Sequence, residues 1–303
     1  MSKKTGVSIV IPSFNDYEKS SRLIDSVYKS SYKNIEVIVV DNSPTKKVIN
    51  KGKKSYKKVK WVDAGRNNIG QAQAYNIGFA HAKPTNHILY CDSDVIVDRD
   101  MITHLVARTE KSRKVGIVTP MILYLEDKNW VNQAGAEVNL KTGRVSIGWG
   151  EKKDYLKPKK VQGSGTTMLF TRDLVDTIGG FEDWFLCYFD PEYCVRALKA
   201  GFNNWYEPKA ICYHDQPKDD TMWRPRVLSR AYLLGRNRTL FMRKYGNMFI
   251  YTLMLPLFFT YYLSESIRFN ILNKWLRLVW GTIVGYIYPV DKSLYRELPD
   301  VKK

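Results

Sequence analysis

The chain begins with two alternating rhythms of apolar residues. Short, nearly continuous runs, VSIVI (7–11), IEVIVV (35–40), VKWVDA (59–64) and HILYC (87–91), have the length and β-branched content of strands buried on both faces. Between them, DYEKSSRLIDSVYKS (16–30) and the stretch from Gly70 to Ala82 place apolar residues at helical spacing. Strand–helix alternation predicts an α/β fold with a mostly parallel central sheet covered by helices. In such sheets a ligand binds beyond the carboxyl ends of the strands. Asp41 follows the second run, and Asp92 and Asp94, in LYCDSDVIV (89–97), follow the fourth. An aspartate at a strand end is often only a turn or capping residue. Acids delivered to one rim by two different strands point further, to a site.

Residues 115–215 mix strand-like and helical runs and contain the glycine-rich QGSGTTMLF (162–170). The character then changes. A basic amphipathic stretch, WRPRVLSRAYLLGRNRTLFMRKYG, precedes an uncharged one, 245–263, and a second amphipathic one, ILNKWLRLVWGTIVGYIY. The expected division is a catalytic domain over 1–220 and a helical, membrane-associating region over 221–303. The uncharged segment has the length of a membrane span. Pro256 at its centre and the Tyr, Trp, Lys and Arg around it suit a helix lying in the lipid interface better, with a full span as the other arrangement.

Composition changes this picture at two points. The formal net charge is +18, with eight lysines between Lys46 and Lys60 and five more in EKKDYLKPKK (151–160). Such runs are usually solvated faces, and otherwise attract a nucleic acid, an anionic membrane or a phosphorylated ligand. No RRM, KH or helix-turn-helix signature accompanies the charge, so the nucleic-acid reading is a minor alternative. The four cysteines, Cys91, Cys187, Cys194 and Cys212, include no C-x-x-C pair, and three lie in apolar runs. Buried thiols are expected rather than zinc ligands. MSKKTG at the start has no apolar core of a secretory signal, so a cytoplasmic setting is expected.

The glycine fingerprints of dinucleotide-binding and P-loop folds, G-x-G-x-x-G and G-x-x-x-x-G-K-[ST], are missing, as is a G-x-S-x-G elbow. What remains is acids and a histidine. Asp92 and Asp94 offer hard oxygens suited to Mg2+ or Mn2+. His214, after the apolar run ending ICYH, is a possible imidazole ligand, although a lone histidine is more often structural. In CYFDPEYCVRALKAGF (187–202), Asp190 and Glu192 open a helix, where acids suit the dipole and one carboxylate can also serve as a base.

VSIVIPSFND, EVIVVDNSP, NNIGQAQAYNIGFAHA, ILYCDSDVIV, GSGTTMLFTRDLVDTIGGFED, YFDPEYCVRALKAGF and YLLGRNRTLF occur in the order and spacing of glycosyltransferase family 2. Across residues 6–245 the chain resembles its rhamnosyltransferase-like, single-addition branch. The resemblance implies a GT-A fold and inverting chemistry on UDP-, dTDP- or GDP-linked sugars. Matched motif by motif, it implies that Pro12, Ser13, Phe14 and Asn15 line the nucleotide pocket, that Asp41 bonds the base, and that Asn68 and Gly70 lie near ribose and diphosphate. Asp92 falls on the nucleotide side of a D-x-D pair and Asp94 on its metal, with His214 as a further metal-side residue and Asp92 also within the metal set. Gly165, Glu182 and Asp183 would meet the donor or acceptor sugar. The usual G-F-D-E reads Gly180-Phe181-Glu182-Asp183, and the usual E-D-x-D reads Phe189-Asp190-Pro191-Glu192, which leaves Asp190 as the catalytic base.

The chemistry this implies needs positive charge against a leaving nucleoside diphosphate and a separate carboxylate to take the acceptor's proton. A single carboxylate near a cation is expected to stay ionised at neutral pH. The Q-x-x-R-W motif of processive synthases is absent; the nearest stretch is DQPKDDTMWRP. One sugar per acceptor follows, with a lipid-linked glycan as acceptor and peripheral attachment to the inner face of the membrane. A polyprenyl- or dolichyl-phosphate sugar synthase, whose acceptor is the lipid phosphate, is the alternative.

Overall fold

The computed structural model describes residues 5–65, 68–163, 165–182, 187–218 and 227–289. The apolar runs form strands β1 (Val7–Ser13), β2 (Ile35–Asp41), β3 (Lys60–Asp63) and β4 (His87–Cys91), separated by helices α1 (Tyr17–Tyr28), α2 (Lys47–Ser55) and α3 (Gly70–His81). β1 lies between β2 and β4, parallel to both, and β3 follows β2 in parallel at the sheet edge. Successive residues of each strand alternate between two separate cores, because side chains on a strand alternate in direction. Val10, Ile38, Val40, Ile88 and Tyr90 pack on one face. Ile9, Ile11, Val37, Val39, Leu89 and Cys91 pack on the other, with Leu23, Ile24 and Val27 of α1.

The second half completes the sheet with antiparallel pairs. β5 (Val95–Val97) and α4 (Met101–Thr109) lead to β6 (Val115–Tyr124), then β7 (Trp130–Gln133). A small hairpin follows, β8 (Ala136–Asn139) with β9 (Arg144–Ile147), then β10 (Gly150–Glu151), β11 (Lys159–Val161) and β12 (Thr167–Phe170). β12 inserts between β4 and β6, antiparallel to both. After α5 (Arg172–Ile178) and α6 (Phe189–Lys199), β13 (Asn203–His214) runs parallel to β6 and antiparallel to β5. The sheet is therefore mixed.

Three helices follow: α7 (Ala231–Tyr245), α8 (Met248–Arg268) and α9 (Leu272–Ile287). The expected boundary near 220 lies outside the described residues. Leu240, Phe241 and Met242 of α7 and Tyr251 of α8 share one apolar cluster with the sheet residue Val10 and with Phe189 of α6. α8 passes through Pro256 without breaking. No described helix is long and apolar enough to cross a membrane, which removes the spanning arrangement for 245–263. All four cysteines are free, and all but Cys187 are fully buried.

The lysine run between Lys46 and Lys60 falls around α2, with only the last of its lysines on β3, and all eight are exposed. Charge along an outer strand blunts pairing with another sheet.

Candidate active site

The nucleotide side is built from strand ends. Asp41 pairs in register with Ser13 and Asp63, and Asn42 N–H donates to the Ser13 carbonyl at 2.8 Å. Asn42 then extends to α3: its Oδ1 accepts from Ile69 N–H at 2.9 Å, and its Nδ2 donates to Asn68 Oδ1 at 3.2 Å. Asn68 Oδ1 also accepts from Gly70 N–H at 3.0 Å. Two asparagines thus fix the start of α3 at the strand ends, and they satisfy amides that a helix leaves without an internal partner. Above this edge lies a cavity of about 400 Å3, lined by Pro12, Ser13, Phe14, Asn68, Gly70, Asp92 and Asp94 among the expected residues. Asn15 is exposed in a left-handed conformation (φ 54°), with its N–H on Ser43 Oγ, and is not part of the lining. Asp41 is fully buried beneath the cavity. Its Oδ1 accepts from Ser43, while its Oδ2 has no hydrogen-bond partner among the described residues.

Asp92 and Asp94 flank the cavity in different surroundings. Asp92 Oδ1 accepts from the Tyr75 hydroxyl at 2.7 Å and from Gln71 Nε2, both on the face of α3 that their i, i+4 spacing defines. Burial, then the charge of Asp94, pushes the Asp92 carboxyl up to about 7 despite those bonds. Asp94 is held below the ordinary carboxylate value: burial raises it, but His214 and Lys19 outweigh that. His214 Nε2 stands 3.3 Å from Asp94 Oδ1 but is not aligned for a hydrogen bond. Its Nδ1 is 3.1 Å from Asn132 Oδ1, which fixes the ring. A buried imidazole nitrogen beside a carboxylate oxygen is an arrangement that a cation between them would satisfy, with Nδ1 then carrying the ring proton. Among the described residues no group of three or more His, Cys, Asp or Glu side chains could hold a metal ion. The donor set fits a hard cation that takes its remaining ligands from phosphate oxygens and water, as Mg2+ does at phosphate sites.

Asp190 enters from α6 and does not line the cavity, but the charge of Asp92 reaches it. Burial is the main reason its carboxyl is pushed up to about 7, and Asp92 adds to it. The ionised form expected from sequence is the one beside a bound cation, whose charge would oppose this rise. Tyr188, which caps α6 two residues before Asp190, is left-handed (φ 70°), with its hydroxyl on the Gly143 carbonyl at 2.6 Å. Gly165 lies directly against Asp190: a methyl there would stand 2.6 Å from its Oδ2. The Gln133 amide, mostly buried, is 3.5 Å from the same point. Thr166 next to it is left-handed (φ 59°), and its carbonyl receives the Asp92 N–H at 2.9 Å. One turn, 165–167, therefore touches the Asp190 carboxylate and the backbone of Asp92.

The remaining residues serve as ties. Glu182 Oε1 takes Lys244 Nζ at 2.7 Å, and Asp183 lies outside the described residues. Glu192 is fully buried against Arg196 and the Tyr245 hydroxyl, so the second acid of this helix is structural. Sequence reasoning missed Gln71, Tyr75, Asn132, Gln133 and Asn42, and also Asp16, Lys19, Gln216 and Arg230 of the cavity lining. The i, i+4 pair in GQAQAY was the available signal for the first two.

The model of the family described as glycosyl transferase family 2 matches residues 8–179, more than half of the chain. The chain belongs to glycosyl transferase family 2. Among curated proteins of the family it is 25% identical to poly-beta-1,6-N-acetyl-D-glucosamine synthase of Staphylococcus epidermidis over 235 residues, 73% of this chain and 53% of the relative. It is 26% identical to the low-salt glycan biosynthesis hexosyltransferase Agl10 of Haloferax volcanii over 247 residues, 77% and 74% of the two chains. The chain thus spans about half the length of the first of these family 2 relatives. In structure it resembles the mannosyltransferase PcManGT of Pyrobaculum calidifontis, solved with GDP-Man and Mn2+, with a TM-score of 0.54 at 15% identity. That match covers 94% of this chain and 88% of the other. GalNAc-T7, solved with UDP, GalNAc and Mn2+, gives a TM-score of 0.57 at 15% identity over 88% and 58%. These likenesses show that this family 2 chain has the GT-A fold.

Proposed function

We propose that the protein is an inverting glycosyltransferase that moves one sugar from a nucleoside-diphosphate-sugar to a hydroxyl of a lipid-linked glycan. The observation that carries this reading is the convergence of three separate segments at the carboxyl edge of the sheet: Asp92 and Asp94 line one cavity, His214 stands beside Asp94, and Asp190 lies within reach of the charge of Asp92. The base of the nucleotide lies against Phe14, and the buried Asp41, in register with the lining residue Ser13, would accept from it only once the lining opens. The diphosphate lies by the start of α3, where the helix dipole favours negative charge, with Lys19 and Arg230 of the lining as further cations.

Asp94 and His214 would hold a divalent cation, Mg2+ or Mn2+, which when bound supplies positive charge against the leaving diphosphate. Asp92, occupied by Gln71 and Tyr75, orients the nucleotide side. Asp190 takes the proton of the acceptor hydroxyl as its oxygen attacks the anomeric carbon. The bond from that carbon to the diphosphate oxygen breaks, and the electron pair leaves with the diphosphate.

The test is a thermal-shift and hydrolysis screen of UDP-, dTDP- and GDP-sugars, with and without Mg2+ or Mn2+. At least one donor should raise the melting temperature, and chelation should remove the rise. No response to any donor with either metal would overturn the reading.

A further inference from the structure

The last two helices each carry two apolar faces, of which only one is used. On α9, Leu278, Gly281, Thr282 and Gly285 pack against α7 so closely that a methyl at Gly281 would stand 2.1 Å from the Tyr232 carbonyl oxygen. On α8, Tyr251 joins the main core, and Phe258, Phe259 and Tyr262 pack around Leu228, Ala231 and Leu278. The other faces are bare. Phe249 (80% exposed), Leu253 (68%) and Leu257 (64%) recur every four residues on α8. Leu276 (58%), Trp280 (58%) and Ile287 (76%) continue the pattern on α9. Contiguous exposed apolar surface of this kind marks an interaction site.

The charges around it select the occupant. Between 247 and 289 the only acid is Glu265, and it is buried. Arg268 and Arg277 are exposed and Lys274 is half-exposed, on a chain of net charge +18. A second copy docked across a two-fold axis would set this basic, acid-free face against itself with no carboxylate to pair. An anionic lipid surface supplies both the apolar depth and the opposite charge, and Trp and Tyr at the rim suit the headgroup layer. Neither helix crosses the bilayer.

We infer that the outer face of α8 and α9 is a docking surface for an anionic lipid bilayer, which lies along it without being spanned. α7 joins that surface to the base side of the cleft: Asn237 Nδ2 holds the Cys187 carbonyl at 2.9 Å, Tyr245 holds Glu192, and Lys244 holds Glu182. The docked helices and the helix bearing Asp190 therefore form one connected block, which presents the acceptor side of the cleft to the membrane. This rests on the lipid-linked acceptor proposed above.

The experiment is flotation of the full chain with vesicles of phosphatidylcholine alone and of phosphatidylcholine with phosphatidylglycerol. Binding should be confined to the phosphatidylglycerol vesicles and fall at least tenfold in Leu253→Asp/Leu257→Asp and in Leu276→Asp/Trp280→Asp. It should weaken in Arg268→Glu/Lys274→Glu, with circular dichroism and melting unchanged in all three. Failure to bind the anionic vesicles, or equal binding to neutral ones, overturns the inference. So does a dimer in lipid-free light scattering that the leucine variants dissociate, which would assign the face to a second copy. Metal-dependent hydrolysis of a nucleotide-sugar in the same preparations keeps the two proposals apart, since it survives in a docking variant and is lost if the transferase reading is wrong.

Discussion

The two sides of the cleft are made in different ways. The nucleotide side is a continuation of the sheet: strand ends at Ser13, Asp41 and Cys91, with Asn42 and Asn68 bonded to consecutive amides at the start of α3. The base side contributes no strand of its own. Its residues 179–182 and 187–192 rest on the rings of Tyr90 and Phe170 and are tied from distant elements, by Asn76 on α3, by Gly165 before β12, and by Asn237, Lys244 and Tyr245 on α7. A site fixed by backbone ladders tolerates loss of a side chain. One fixed by side-chain ties moves when a tie is cut.

The largest expected effect is at Asp190. Asp190→Asn should lower transfer by about 10²–10⁴-fold while donor binding, read by thermal shift, is kept. Equal loss of both would show that the two sides are not separate in function. Retained transfer would favour a phosphate acceptor, which needs no base. Burial raises this carboxyl, so the wild-type rate should rise with pH as it ionises, because only the ionised form accepts a proton, and the rising limb should vanish in the variant.

Gly165→Ala should come next. Its methyl would stand 2.6 Å from Asp190 Oδ2, so either the base or the turn must move. Turnover should fall about ten- to a hundredfold, the scale of a misplacement near 1 Å, with donor KM little changed. A rise in donor KM of the same size would mean that the displacement reaches Asp92 through Thr166.

Asn76→Ala should be the mildest. Asn76 grips the Phe181 backbone at both ends, accepting its N–H at 2.7 Å and donating to its carbonyl at 2.8 Å. Removing the amide leaves both groups unpaired and should cost about 1–3 kcal/mol in urea unfolding. Asn76→Asp, which can still accept, should recover part of the loss.

The same division explains what could be read from the chain. β1 to β4 and the acids at their ends were legible because buried parallel strands give uninterrupted apolar runs and their carboxyl ends face the ligand. The insertion of β12 between β4 and β6 was not legible, because β-pairing partners distant in sequence leave no periodic trace. Asp190 was legible only as one of two acids opening a helix, and resemblance chose it over Glu192, since its position depends on contacts such as that with Gly165 that no local spacing reports. Glu192, two residues on, belongs to an Arg196–Tyr245 cluster that only the folded chain discloses. The partners of Asp92 were hidden for another reason: Gln71 and Tyr75 look like ordinary residues of an α/β helix until its face is known. The uncharged segment 245–263 gave its length and apolarity directly, but not that half of that apolarity is spent on α7 and α9.

The lysine-rich stretch around α2, beside the far edge of the sheet, has a consequence for handling the protein. Eight exposed ammonium groups between Lys46 and Lys60, only the last of them on β3, form a polycation that polyphosphates of any kind will decorate through counterion release. Cell extracts at low ionic strength should therefore yield the protein coated with RNA, and a few hundred millimolar salt should strip it. The same wash screens the repulsion that keeps two such edges apart.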